Sequence, residues 1–460
     1  MSRLARNCLL LLAWLGSSTA VAAAEMTVHE YRLDNGMRVV VKEDHRAPVV
    51  VSQVWYAVGS SYEHSGITGI SHVLEHMMFK GTKKHPEGEF SEIIARNGGE
   101  ENAFTGRDYT AYYEVLASDR LEVAFELEAD RMVNLRMQEE DFRNELEVVK
   151  EERRLRTEDE PDSLTYEHFK ATAFLNSPYG LPVIGWMTDL EHLKLKDLEA
   201  WYEAWYAPNN ATLVVVGDVD PEAVHELAAK HFGPLEPAEH PELSPRREVE
   251  QRGERRLSVK APAEVPYLVM GYKVPVLKTA EDSWEPYALE VLAGILDGGR
   301  SARLSRELVR GRELLASAGA SYSLASRLAR LFLLEATPAQ GHDVAEAEDA
   351  LLSEIERLRN EPVAPEELER VKAQVVASEV YERDSVQHQA IQLGLVETLG
   401  LGWQVLEAYP DKIRSVTADQ VQTVARKYLV PERLTVAVLE PQPMDADDTG
   451  TGGAEGSTGE

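Results

Sequence analysis

The 460-residue chain carries 48 Lys and Arg against 79 Asp and Glu, a formal charge of −31. That length exceeds one ordinary hydrophobic core and calls for two or three domains. The acidic balance excludes a nucleic-acid partner and disfavours anionic membrane surfaces, because both need a Lys/Arg field.

In chain order, residues 1–24 read as an export signal. Arg3 and Arg6 precede a short apolar stretch from Cys8 to Leu15, and small residues follow around Ala20-Val21-Ala22. That three-part layout belongs to a secretory signal peptide, and the apolar stretch is too short to span a bilayer. The expected location is the bacterial periplasm or the medium, with no stable membrane insertion after cleavage. Cys8 is the only cysteine, so the mature chain is expected to have neither disulfides nor thiol chemistry.

Tyr31 to Lys42 holds two β-rich runs around Asn35-Gly36, a hairpin signal, and Val49 to Val58 is a further strand. Helical periodicity runs from Ile67 to Lys80, from Leu121 to Leu135, and from Phe142 to Arg156 before Pro161. Ala211 to Val216 reads as a buried strand. A Pro-, Glu- and Arg-rich stretch follows and marks a linker, residues 239–256.

The second half repeats the order of the first. Pro266 to Pro275 is a strand leading into a helix from Trp284 to Leu296, and Arg433 to Leu439 echoes Ala211 to Val216. The expected fold is α+β: two tandem homologous domains, 25–238 and 257–440, each an antiparallel sheet with helices packed on one face. Residues 441–460, rich in Gly, Thr, Asp and Glu, are expected to form a disordered acidic tail.

Chemistry concentrates in Ser71-His72-Val-Leu-Glu75-His76. Positions i and i+4 share a helix face, so His72 and His76 can turn both imidazoles toward one metal ion. Glu75 stands beside that ion, free to take a proton from water. Two neutral imidazoles suit Zn²⁺, which in catalytic sites takes three protein ligands and keeps a position for water. Among the carboxylates of the Phe142–Arg156 helix, Glu145, Val148, Val149 and Glu152 share a face expected to bury itself. Either Glu145 or Glu152 can then supply the third ligand, and spacing does not choose between them.

With these motifs in hand, the sequence resembles the pitrilysin/insulinase-type zinc metallopeptidases, an inverted-zincin family. It is most similar to the branch holding the mitochondrial processing peptidase and its bacterial two-subunit relatives. Besides H-x-x-E-H, the likeness is carried by Phe79-Lys-Gly-Thr82, Gly98-Gly-Glu-Glu-Asn-Ala-Phe-Thr105, Glu145 to Glu152, and Tyr206-Ala-Pro-Asn-Asn210. The resemblance implies a zinc endopeptidase with Glu75 as general base and His72, His76 and Glu152 as ligands. Glu145 would orient a ligand from behind. It also implies that Asn102, Ala103 and Phe104 form a strand edge pairing with an extended peptide.

One departure concerns an Arg and a Tyr that active relatives carry in a second half. Their positions fall here on Val309 and Ala316. Arg310 is a poor substitute, because one residue turns a helix by about 100°. The resemblance therefore points to a zinc-bearing subunit of a heterodimer. A second family chain would supply the pair, and peptides or unfolded segments would be cut inside a closed chamber. The alternative is a non-catalytic, core-type assembly subunit of the same fold.

Overall fold

The computed structural model describes residues 27–244 and 246–444. The expected export signal, residues 1–24, and residues 445–460 of the expected tail lie outside the described residues.

Among the described residues, eleven strands form two sheets. The first half supplies β1 (Val28–Arg32), β2 (Arg38–Glu43), β3 (Val49–Tyr56), β4 (Glu100–Thr105), β5 (Thr110–Ala117) and β6 (Ala211–Gly217), in the order β1-β2-β6-β3-β5-β4. The second half supplies β7 (Arg255–Pro262), β8 (Tyr267–Val274), β9 (Leu315–Ser321), β10 (Arg330–Pro338) and β11 (Leu434–Gln442), in the order β7-β11-β8-β10-β9. Without the extra β1 hairpin strand the two orders coincide, so the likeness of the halves extends to topology. Pairing is antiparallel except for β2 with β6 and β7 with β11, the corresponding pair in each sheet.

The apolar runs explain the layering. β6, Ala-Thr-Leu-Val-Val-Val-Gly, is buried along its whole length, as a central strand covered on both faces must be. One face of the first sheet packs on its own helices, among them α1 (Ile70–Met77), α2 (Glu89–Arg96), α3 (Leu121–Asn134) and α4 (Glu139–Arg153). The opposite face is covered from the other half. The helix Val386–Thr398 lays Ala390 and Leu393 on Val40, Val51, Trp55 and Val214. Reciprocally, α5 (Pro161–Ala173) of the first half sets Phe169 and Ala173 against Val269, Leu331 and Ala437 of the second sheet. Each sheet thus has its own helices on one face, as expected, and a borrowed helix on the other.

That exchange demands a close approach. Gly394 of the borrowed helix lies against the Trp55 indole, where a Cβ would stand 2.1 Å from the ring. Gly394→Ala gains helix propensity of about 1 kcal/mol, but it must push the helix off the sheet. We expect a net loss of roughly 1–3 kcal/mol, read as a lower urea midpoint. An unchanged midpoint would show that this helix is not seated as described.

Two sequence expectations shift. The helix read from Ile67 to Lys80 is confined to Ile70–Met77, because Gly69 takes a left-handed conformation (φ +88°) at its start. β11 continues through Pro441 and Gln442, residues assigned to the tail, where it pairs only with β7. A proline is tolerated there because no second neighbour needs its N–H.

Candidate metal centre

The start of α1 is held by Glu63, whose buried carboxylate accepts the Gly69 and Ser71 backbone N–H groups at 2.8 and 2.9 Å. Burial pushes this carboxyl up to about 7, against the pull of those two bonds. Val73, Leu74 and Met77 point into the core, so the polar residues of the helix, His72, Glu75 and His76, face the opposite side. They line a cavity of about 1100 Å³ together with Glu152 of α4 and Asn102 to Thr105 of β4.

Glu152 Oε2 lies 3.4 Å from His76 Nε2 and 3.7 Å from His72 Nε2. These separations fit one ion. Tetrahedral zinc with bonds of roughly 2.0–2.1 Å spaces its ligand atoms about 3.3 Å apart. His76 Nδ1 is 2.9 Å from Glu145 Oε1; donating that proton leaves Nε2 as the lone-pair atom. Glu145 in turn receives Lys80 Nζ at 2.7 Å, and the second oxygen of Glu152 receives Arg156 at 2.8 Å. Next to Glu152, Arg153 donates two hydrogen bonds to Glu167 and one to the Gly185 carbonyl, all at 2.8 Å, which fixes the end of α4.

The electrostatics separate the two imidazoles. Burial, then the charges of His76 and Arg156, depress His72 to about 3, so it is neutral and available as a ligand. Burial also works against charge on His76. There the Glu145 hydrogen bond and the surrounding carboxylates prevail and raise it. Burial raises Glu75 as well, although Thr105 Oγ1 donates to it, and a raised carboxylate is the better base near neutrality. In the zinc-free chain, NMR titration should find His76 titrating above the ordinary histidine value and His72 neutral down to about pH 3. The stability linked to neutral His72 is complete above its unfolded value and is lost as pH falls toward 3. That linked to His76 is present below its unfolded value and is lost as pH rises through its raised one. Reversed titration order would contradict this environment.

The structure brings together every sequence-predicted site residue. Among the described residues β4 is an edge strand paired only with β5, and its Asn102, Ala103 and Phe104 line the cavity. Val148 departs from expectation: it is 50% exposed, because that part of α4 forms cavity wall, while Val149 is fully buried. Sequence reasoning missed the roles of Lys80 and Thr105, although both lie in segments that carried the resemblance. Val309, Arg310, Ala316 and Tyr322 all stand away from this cavity. Tyr322 lines a second one and donates to the Pro275 carbonyl at 2.7 Å. A second His/carboxylate group among the described residues, Glu379, Glu382 and His388, is more exposed, and Arg383 already engages Glu379. No helix of the described residues is long and apolar enough to cross a membrane.

A repeated α+β chain with an H-x-x-E-H helix defines a class, the two-domain metallopeptidase fold. Residues 38–186 match the family described as insulinase, peptidase family M16, and residues 192–375 match the one described as peptidase M16 inactive domain. The chain is 37% identical over 328 residues to the zinc protease PqqE of Helicobacter pylori, covering 70% of this chain and 72% of that one. An uncharacterised zinc protease of Mycobacterium tuberculosis is 30% identical, with 92% of this chain and 95% of that one covered. Among solved structures, a protease from Helicobacter pylori superposes with a TM-score of 0.85 at 30% identity, over 91% of this chain and all (100%) of that one. The periplasmic protease PqqL of Escherichia coli shares the fold (TM-score 0.77, 19% identity), with 92% of this chain covering 48% of that one. The chain belongs to the M16 family of peptidases.

Proposed function

We propose that this chain is a zinc-dependent endopeptidase that hydrolyses peptides or unfolded segments. The observation that carries the reading is the convergence of His72 Nε2, His76 Nε2 and a Glu152 carboxylate oxygen at zinc-ligand spacing, with Glu75 lining the same cavity. Zinc bound there would supply Lewis acidity to a water and to the scissile carbonyl. Glu75 takes the proton of the attacking water and returns it to the leaving amine. Glu145 fixes the tautomer of His76, and Lys80 holds Glu145 in place. The free edge of β4 offers main-chain hydrogen bonds to an extended substrate, which gives affinity with little sequence demand.

The same reading takes residues 25–238 as the zinc-bearing domain and 257–440 as a like domain without the metal site. It makes the chain an exported protein of the periplasm or medium, acting as the zinc-bearing subunit of a heterodimer. A second family chain would bring the Arg/Tyr pair and close the chamber. The positions of Val309 and Ala316, away from the cavity, support the need for a partner. The test is a mixture of unstructured peptides incubated with the zinc-loaded mature chain, alone and with candidate partner chains, and followed by mass spectrometry. Cleavage lost on chelation is expected. Bound zinc with no cleavage under any pairing would overturn the reading.

A further inference from the structure

The cavity that holds the candidate metal centre is also lined by Arg107, from the turn between β4 and β5, and by Lys170 of α5. Arg330, the first residue of β10, presses its positive charge on both. Buried basic groups elsewhere in this chain are paired: Arg153 with Glu167, Arg303 with Glu367, Lys273 with Glu248. Lys170 is only 7% exposed, and its Nζ lies 4.9 Å from the Phe174 ring centroid with no carboxylate of the described residues in ion-pair range. Burial, Arg107 and Arg330 all disfavour its charge, so an anion arriving beside it is what would hold the ammonium form. The Nε of Arg107 is buried without a hydrogen-bond partner, and its guanidinium rests 6.0 Å from the Tyr179 ring centroid.

Two neighbouring carboxylates, Asp108 and Glu167, are committed elsewhere, while Asp162 and Glu335 also line the cavity. Asp108 accepts from Tyr179, from Ser61 at 2.7 Å and from Arg327 at 3.2 Å. Glu167 belongs to Arg153. Clustering buried like charges without a counter-ion is costly. A chain with 79 acidic residues has no shortage of carboxylates to place there. Cations left open toward a cavity instead form a site for an anion that arrives from outside.

We propose that Arg107 and Lys170 form a carboxylate-binding site for the peptide, taking either its C-terminal carboxylate or an Asp or Glu side chain. The choice of a peptide as the anion's source rests on the peptidase reading above; the anion site itself does not. Thr105, at the end of the β4 edge, is bonded to Glu75, and Arg107 follows two residues later. A strand advances about 3.3 Å per residue, so the carboxylate would sit roughly two to four residues from the bond attacked beside Glu75.

The test measures binding to the zinc-loaded Glu75→Gln chain, so that turnover does not enter. Three fluorescent, unstructured peptides are compared by anisotropy: one neutral and amidated, one with a single Gln replaced by Glu, and one with a free C-terminus. At least one anionic peptide should bind about tenfold or more tightly than the neutral one, as a charged hydrogen bond allows. Gain by the Glu peptide alone assigns the site to side chains, and gain by the free-acid peptide alone assigns it to chain ends. Lys170→Met and, independently, Arg107→Gln should bring the affinity ratio close to one. Lys170→Met should also melt at a higher temperature, since it removes a buried polar amine that lacks a carboxylate partner. Equal binding of all three peptides, or a preference that neither variant alters, would overturn the proposal. Cleavage of the neutral peptide by the wild-type chain is scored separately: cleavage without a carboxylate preference sinks only this site, and a preference without cleavage sinks only the peptidase reading.

Discussion

Replacing Glu75 with glutamine is expected to leave zinc bound and to lower kcat by roughly 100- to 10,000-fold, the usual worth of a positioned general base. The geometry separates the two properties. Glu75 is not among the three groups whose donor atoms converge, so its charge is not needed to hold the ion. Glutamine has the same shape, and its carbonyl oxygen can still accept the Thr105 hydroxyl that now bonds the carboxylate. What the amide cannot do is take a proton. Zinc content by elemental analysis and cleavage by mass spectrometry read the two effects separately. Normal turnover in the variant would remove Glu75 from the chemistry.

The second large effect concerns zinc affinity along α4. Glu152→Gln removes a converging carboxylate and is expected to weaken zinc by more than 100-fold. Glu145→Gln should cost about 10- to 100-fold, the range for a residue that orients a ligand. The loss in that variant passes through His76, whose Nδ1 would face an amide, and through Lys80, which would lose its 2.7 Å partner. Glu151, exposed on the far side of the helix, is the control and should change nothing. Competition with a zinc-sensing dye orders the three variants. An effect of Glu151→Gln equal to that of Glu152→Gln would mean that the helix presents a different face to the ion.

Much of this site could be read from the chain because it is encoded locally. The i, i+4 pair on α1 and the Glu145–Glu152 spacing on α4 are helix arithmetic, and the Asn35-Gly36 hairpin and the β3 and β6 strands are equally local signals. Where reading failed, the cause was tertiary. Val148 and Val149 are alike in sequence, and only the position of the cavity exposes one and buries the other. The exchange of α5 and the Val386–Thr398 helix between sheets depends on surfaces far apart in the chain, and Gly394 acquires its meaning only against Trp55. Arg107 and Lys170 are unremarkable basic residues until the fold gathers them around one cavity. Choosing Glu152 over Glu145 needed the resemblance, because both lie on one helix face. Their distances from the imidazoles then show different partners: Nε2 of both histidines for one, Nδ1 of His76 for the other.

The most direct test of the metal centre is anomalous diffraction at the zinc edge from crystals of the zinc-loaded chain. The account predicts a peak bonded to His72 Nε2, His76 Nε2 and a Glu152 carboxylate oxygen, with Glu145 on the far side of His76. A peak at Glu379, Glu382 and His388, with none between α1 and α4, would contradict it.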